Sequence, residues 1–97
     1  YFADPIEGVK KTNCIMTDVW VSMGEKNNKE KYFKKFTVNK KIMSNASNNS
    51  IFMHCLPAKR GKEVTSDVLD GKNSVVLKQA KNRMYIQQAI LIYVLKK

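Results

Sequence analysis

The sequence predicts an α/β fold with a parallel sheet, and three observations support this. Helical and extended patterns alternate along all 97 residues, as they do in chains that build parallel sheets. The two clearest strands are short and apolar. An acidic residue follows the first strand, and a histidine and a cysteine follow the second. Ligand sites lie at these positions in parallel sheets. A chain of this length forms one small domain, and no internal repeat or linker divides it.

In the first half of the chain, a helix and a strand precede a polar loop. Asp4 is expected to cap the first helix, with Pro5 at its first position. The run from Cys14 to Thr17 has the apolar character of a buried strand. In chain order, we predict a helix over 6–11, a strand over 14–17, a loop over 18–24 and helices over 29–36 and 38–43.

The second half is predicted to repeat the pattern and to end in a long helix. Pro57 stops strand pairing after the second strand, because proline has no amide hydrogen to donate. The predictions are a polar turn over 45–50, a strand over 51–53, a helix over 62–69, a turn over 70–71, a third short strand over 74–77 and a helix over 80–95. The last helix offers several apolar side chains to a core: Met84, Ala89, Ile90, Ile92 and Leu95.

The net charge of +10 is the strongest compositional signal, and it raises the possibility of a nucleic-acid-binding module. Sixteen of the eighteen basic residues are lysines, and they are scattered along the whole chain. Surfaces that read phosphates favour arginine gathered on one face. Nucleic-acid binding is therefore the weaker interpretation.

Other bulk features also exclude some classes of protein. No apolar run approaches the roughly 20 residues of a membrane span, and the N-terminus lacks a signal-peptide pattern. We therefore expect a cytoplasmic location, or the mitochondrial matrix if a presequence exists. Cys14 and Cys55 are expected to be free thiols, and His54 alone cannot complete a zinc site with them.

The loop after the first strand could hold an amino group. Asp18 at the strand end offers a carboxylate to an ammonium, Ser22 could add a hydroxyl contact, and Gly24 would let the backbone approach a ligand. The alternative is that Asp18 only caps the following turn.

The loop after the second strand begins with a histidine and a cysteine, which suggests a thiolate nucleophile. Adjacent residues on an extended chain point to opposite sides, so His54 is not expected to activate Cys55. A cysteine that lines a polar pocket, or a buried structural one, fits better. Arg60 and Arg83 suit anions, although either could hold a structural carboxylate. The residues alone predict a ligand site at the end of an α/β sheet.

Three motifs resemble those of the ornithine carbamoyltransferase family. Segment 18–24 (DVWVSMG) is similar to the family's Asp-x-x-x-Ser-Met-Gly, segment 53–58 (MHCLPA) resembles its His-Cys-Leu-Pro block, and segment 82–84 (NRM) is similar to its C-terminal Asn-Arg-Met/Leu. The resemblance implies a three-layer Rossmann-like parallel sheet. It also implies that residues 1–97 form the C-terminal portion of an ornithine-binding domain, without the carbamoyl phosphate domain.

The resemblance implies a reaction and its substrates. The family transfers the carbamoyl group of carbamoyl phosphate to L-ornithine, giving L-citrulline and phosphate in arginine metabolism. Asp18, Ser22 and Met23 would bind the amino-acid end of L-ornithine. The Ser-Met-Gly segment argues against the related aspartate and putrescine carbamoyltransferases. The implied assembly is a homotrimer, and no metal, organic cofactor, nucleic acid or membrane is implied.

The remaining implied site residues face the reacting groups and bind the substrates there. Cys55 and the Leu56 carbonyl would lie near the δ-amino group and the carbamoyl carbonyl, and Arg83 would polarise that carbonyl. Cys55 and Arg83 are thus the expected catalytic residues, with Cys55 a positioning group and not a covalent nucleophile. The isolated chain is expected to be inactive. The alternatives are a non-catalytic remnant that binds an amino acid or a protein, and the basic nucleic-acid-binding module.

Overall fold

The computed structural model describes residues 1–21, 24 and 30–96. In these ranges helices and strands alternate, which confirms the predicted α/β class. The elements are α1 (Pro5–Gly8), β1 (Cys14–Thr17), α2 (Glu30–Phe33) with a 3-10 turn (Lys34–Phe36), α3 (Lys40–Asn45), β2 (Ile51–His54), α4 (Ser66–Leu69) and α5 (Val76–Leu95).

The strands β1 and β2 pair in parallel, as predicted. Their register places Thr17, the last residue of β1, opposite His54, the last residue of β2. Because both strands run in the same direction and end at the same level, the residues that follow them emerge at one edge of the sheet. Asp18 and Cys55 are therefore brought together by the pairing of the strands.

One face of this sheet is covered and the other is open. Ile15 and Phe52 point into the core, where Phe52 is fully buried. On the opposite face Cys14 and Met16 are exposed. The buried hydrophobic residues of the described chain are Ile15, Val38, Ile42, Phe52, Val64, Val68 and Val76. Parallel sheets are usually buried on both faces, so this one has an uncovered apolar side.

The first helix has the predicted cap. The Asp4 carboxylate accepts a hydrogen bond from the Ile6 amide at 2.9 Å, and Pro5 occupies the first helical turn. The helix ends at Gly8 and not at Lys11 as predicted. Lys11 has a φ of 62°, a left-handed conformation that cannot continue a right-handed helix.

The predicted third strand over 74–77 is wrong in extent. Ser74 forms a single parallel bridge with Phe52, flanked by hydrogen bonds from Phe52 N to Asn73 O and from Val75 N to Phe52 O. The chain then turns into α5 at Val76, whose side chain is buried in the core. The β propensity of the valines is a weak preference, and packing of the helix start overrides it.

Two short helices begin later than predicted because their first residues are used in the core. Val38 and Val64 form a parallel bridge, and both are buried. The helix predicted over 38–43 is α3, which begins after Asn39, whose side chain caps it by accepting from the Ile42 amide at 3.0 Å. The helix predicted over 62–69 is reduced to α4, because the buried Glu63 lies in a turn and the buried Val64 forms the bridge before it.

The long helix α5 is present but does not pack as predicted. It begins at Val76, four residues before the predicted start at 80, and extends over 20 residues. Among the described residues of this helix, only Val76, Gln79 and Ala80 are buried or half-buried. From Lys81 to Lys96 every residue is exposed, including all five that the sequence offered to a core (Met84, Ala89, Ile90, Ile92 and Leu95). In the described part of the chain, no helix is long and apolar enough to cross a membrane.

Gly71 gives a test of the packing after α4. A Cβ added there would lie 2.6 Å from the Asp67 carbonyl oxygen, which is backbone and cannot swing away. Gly71→Ala should therefore lower the free energy of unfolding by about 1–3 kcal/mol, the usual cost of overpacking, as measured by urea denaturation. Gly8→Ala is the matched control, because its Cβ would meet only the Phe2 side chain at 3.4 Å. Equal stability of the two variants would contradict this packing.

Candidate functional site

The centre of the candidate site is a hydrogen bond between the two strand-end loops. The Cys55 thiol donates to Asp18 Oδ1 at 2.9 Å, across 37 residues of sequence. The same oxygen accepts from the Val19 amide at 2.7 Å. Asp18 therefore does more than cap the next turn, because its carboxylate also fixes the thiol of the second loop.

This contact changes the proton affinity of both groups. The hydrogen bond from Cys55, followed by that from the Val19 amide, lowers the pKa of Asp18 below its ordinary 3.8. The hydrogen bond to Asp18 raises the pKa of the Cys55 thiol above its ordinary 9.0, and burial acts in the same direction. Cys55 is thus held as a thiol at neutral pH.

Arg83 reaches the same place from helix α5. Its guanidinium donates to the Cys55 carbonyl oxygen at 3.2 Å. A cavity of about 310 Å³ lies beside these groups. Its lining residues are Cys55, Gln79, Ala80, Asn82, Arg83 and Ile86. The three motifs of the sequence therefore meet in space, through Asp18, Cys55 and Arg83.

His54 points away from this cavity and into the protein. Its side chain is fully buried, and its Nε2 lies 3.2 Å from Glu63 Oε1. Its Nδ1 accepts a hydrogen bond from the Leu56 amide at 2.8 Å. The expectation that His54 does not activate Cys55 agrees with this arrangement, because both ring nitrogens are already engaged.

Asp18, His54 and Cys55 also bring one potential metal ligand each within 4.8 Å of one another. Of the three, His54 could coordinate a metal only by releasing Leu56 or Glu63. The Asp18 and Cys55 atoms are likewise hydrogen-bonded to each other. In this structure the His54 ring nitrogens, the Cys55 thiol and Asp18 Oδ1 are therefore all engaged in hydrogen bonds within the protein.

The remaining residues named from the sequence have different outcomes. Ser22 and Met23 lie outside the described residues, and their roles stay predictions. Gly24 has a φ of 89°, so its backbone conformation already favours glycine. Arg60 pairs with Asp70 through two hydrogen bonds of 2.5 and 2.9 Å, which is the structural alternative raised for the arginines. Both cysteines are free thiols, as predicted.

Two residues that support the site were not singled out from the sequence. Glu63 was assigned to a helix, yet it is fully buried against His54. Gln79 accepts a hydrogen bond from the His54 amide at 3.0 Å. Glu63 stands between Lys62 and Val64, so its local sequence gave no signal of burial, and Gln79 was missed because the last helix was predicted to begin at residue 80.

The chain matches the family model described as "Aspartate/ornithine carbamoyltransferase, Asp/Orn binding domain" over residues 1–94. It belongs to the aspartate/ornithine carbamoyltransferase family. As a member of that family it has a partial α/β domain of the Rossmann-like type, and the solved structure of ornithine carbamoyltransferase from Pyrococcus furiosus superposes on it with a TM-score of 0.85. That structure is 49% identical in sequence, and the match covers 92% of this chain and 29% of that one.

Curated carbamoyltransferases give the same relationship. The ornithine carbamoyltransferase of Methanococcus vannielii is 47% identical over 97 residues, covering 96% of this chain and 32% of that protein. That of Hyperthermus butylicus is 50% identical over 95 residues, covering 95% of this chain and 30% of that protein. The chain thus spans about a third of the length of these relatives.

The hydrogen bond between Asp18 and Cys55 predicts how the thiol reacts. In a Cys14→Ser background, Asp18→Asn should lower the pKa of Cys55 toward its ordinary value, because the carboxylate that raises it is gone. More thiolate is then present at pH 8, so iodoacetamide should alkylate Cys55 severalfold faster. Asp67→Asn is the control, since it removes a carboxylate from α4 without touching a hydrogen bond of the thiol. An unchanged alkylation rate in Asp18→Asn would show that the contact does not control the thiol.

Proposed function

We propose that this chain is the C-terminal portion of the ornithine-binding domain of an ornithine carbamoyltransferase. The complete polypeptide then transfers the carbamoyl group of carbamoyl phosphate to the δ-amino group of L-ornithine, giving L-citrulline and phosphate. One observation carries the proposal: Asp18, Cys55 and Arg83, one from each family motif, are joined by hydrogen bonds at the carboxyl edge of the sheet.

Asp18 is suited to hold the α-ammonium group of ornithine. Its carboxylate lies at the strand end, is exposed and has a lowered pKa, so it stays charged at neutral pH. A carboxylate has room for about four hydrogen bonds. The two donors already present, from Cys55 and Val19, therefore leave acceptor positions for an ammonium. Ser22 and Met23 complete this part of the proposed site.

The δ-amine must lose its charge before it can attack, although the pKa of a similar lysine amine is about 10.4. The Leu56 carbonyl can accept a hydrogen bond from the amine and orient its lone pair toward the carbamoyl carbon. The thiol of Cys55 can act beside it as a weak acceptor. Because the pKa of Cys55 is raised, the sulfur is a poor nucleophile at neutral pH, which supports orientation of the amine and not a carbamoyl-cysteine.

Arg83 is suited to stabilise the carbamoyl oxygen as it gains negative charge. A guanidinium carries five N–H donors, and one of those of Arg83 is used by the Cys55 carbonyl. The others are available to a developing oxyanion in the adjacent cavity.

More polypeptide is needed to complete this site. Carbamoyl phosphate needs a binding region that the residues above do not supply, and the relatives are about three times as long as this chain. The open face of the sheet and the exposed length of α5 support packing against further polypeptide. A homotrimer in the cytoplasm, or in the mitochondrial matrix, belongs to the same proposal.

The charge distribution supports a solvated surface more than a nucleic-acid-binding one. Several basic residues already have acidic partners: Lys10 with Glu7, Arg60 with Asp70 and Lys62 with Glu30. A non-catalytic interaction remnant is the second candidate, and the open apolar face of the sheet is the observation that favours it.

The proposal is tested on the complete polypeptide that contains this segment. Purified protein given carbamoyl phosphate and L-ornithine should form citrulline, whereas L-aspartate or putrescine in place of ornithine should give little product. The isolated chain should form no citrulline. Failure of the complete polypeptide to make citrulline, or a preference for L-aspartate, would overturn the proposal.

The two arginines provide a matched pair within the same assay. Arg83→Gln should lower kcat by about 100-fold or more, the usual loss when one donor to a developing oxyanion is removed. Arg60→Gln breaks only the exposed pair with Asp70, and it should change kcat by less than about threefold. Similar losses in both variants would indicate a general effect of charge and contradict the role of Arg83.

A further inference from the structure

Leu56 has a backbone conformation that side chains rarely adopt. Its φ is 57°, in the left-handed region, which is unfavourable for a residue with a Cβ. Such conformations persist only where the surroundings determine them fully. Leu56 follows Cys55 directly in the loop after β2. The direction of its carbonyl therefore depends on the contacts that fix the backbone of this loop.

His54 holds the loop from inside the protein. Its Nδ1 accepts the hydrogen of the Leu56 amide at 2.8 Å. A ring nitrogen that accepts carries no proton, so the ring hydrogen sits on Nε2 and is donated to Glu63 Oε1 at 3.2 Å. The orientation of the imidazole is thus fixed at both ends.

Glu63 binds the imidazole of His54 and the far end of the loop, although burying its carboxylate is energetically unfavourable. The same Oε1 accepts from the Lys59 amide at 2.5 Å, which ties the far end of the loop. Its Oε2 is buried with no hydrogen-bond partner in the described structure. Burying a carboxylate oxygen without a partner is unfavourable, and apolar residues often replace buried ionic groups without loss of stability.

We propose that His54 and Glu63 are a positioning pair that fixes the left-handed Leu56 and so aims its carbonyl at the site. The pair does not touch the reacting atoms. Its effect on turnover rests on the proposed function, whereas its effect on the Leu56 loop does not.

Isosteric variants separate the two ends of the imidazole. In His54→Asn the amide oxygen lies near the position of Nδ1 and still accepts from Leu56, but the link to Glu63 is lost. In His54→Gln the longer side chain reaches the position of Nε2 and can still donate to Glu63, but the acceptor for Leu56 is lost. Glu63→Gln keeps an oxygen that can accept hydrogen bonds from both His54 and Lys59, so it serves as the conservative control.

The first measurement is amide hydrogen exchange in the complete polypeptide, with the Val75 amide, bonded to Phe52 O, as an internal reference. His54→Gln should speed exchange at the Leu56 amide roughly tenfold relative to Val75, the effect of losing one hydrogen bond. His54→Asn, which keeps the acceptor for Leu56 but loses the link to Glu63, should have an intermediate effect, and Glu63→Gln should change the exchange much less. Equal exchange of Leu56 in His54→Gln and His54→Asn would overturn the proposal.

The second measurement is steady-state kinetics of the same proteins. His54→Gln should lower kcat/KM for ornithine by up to about 100-fold, as a misplaced group does, without changing KM for carbamoyl phosphate. A merely structural role would lower kcat in proportion to the folded fraction and leave both KM values unchanged, which would contradict positioning. If the unmutated polypeptide makes no citrulline, the proposed function fails, and hydrogen exchange still decides whether the pair holds Leu56.

Discussion

The hydrogen bond between the Cys55 thiol and the Asp18 carboxylate depends on the pairing of the two strands and on the packing of the core. It joins two loops that are 37 residues apart in the sequence, and it forms because β1 and β2 are parallel and end in register. A slip of one residue would turn Asp18 or Cys55 to the other face of the sheet. The buried Ile15 and Phe52 prevent that slip, because the same shift would expose them. Packing of the core thus sets the geometry of the site.

The sequence predicted the parts of this arrangement that local patterns determine. The bounds of β1 followed from a short apolar run, and the cap at Asp4 followed from the chemistry of one side chain. The position of the site followed from the rule that polar loops at the carboxyl ends of parallel strands meet. The loops themselves were less predictable. Glu63 was assigned to a helix because its local sequence does not indicate its partner. That partner, His54, comes close to Glu63 only when the chain has folded.

Helix α5 shows the same limit at larger scale. Its apolar residues predicted a core-facing helix, yet Ile90, Ile92 and Leu95 are exposed in this chain. An apolar pattern predicts that a helix face is buried, but it does not identify the surface that covers this face. The open face of the sheet, with Met16 exposed, raises the same question. Both surfaces support the proposal that this domain is completed by the rest of a carbamoyltransferase about three times its length.

The most direct test of this account is the titration of Cys55 by ¹³C NMR of its labelled Cβ, in a Cys14→Ser protein. The contact with Asp18 predicts a pKa above the ordinary 9.0 of a cysteine. The raised pKa also has a thermodynamic consequence. The contact should stabilise the fold fully between pH 3.8 and pH 9.0, the ordinary pKa values of the two groups, and lose this contribution as pH falls through the lowered pKa of Asp18 or rises through the raised pKa of Cys55. A midpoint at or below 9.0 would contradict both the Asp18–Cys55 contact and the proposed role of Cys55 as a protonated positioning group.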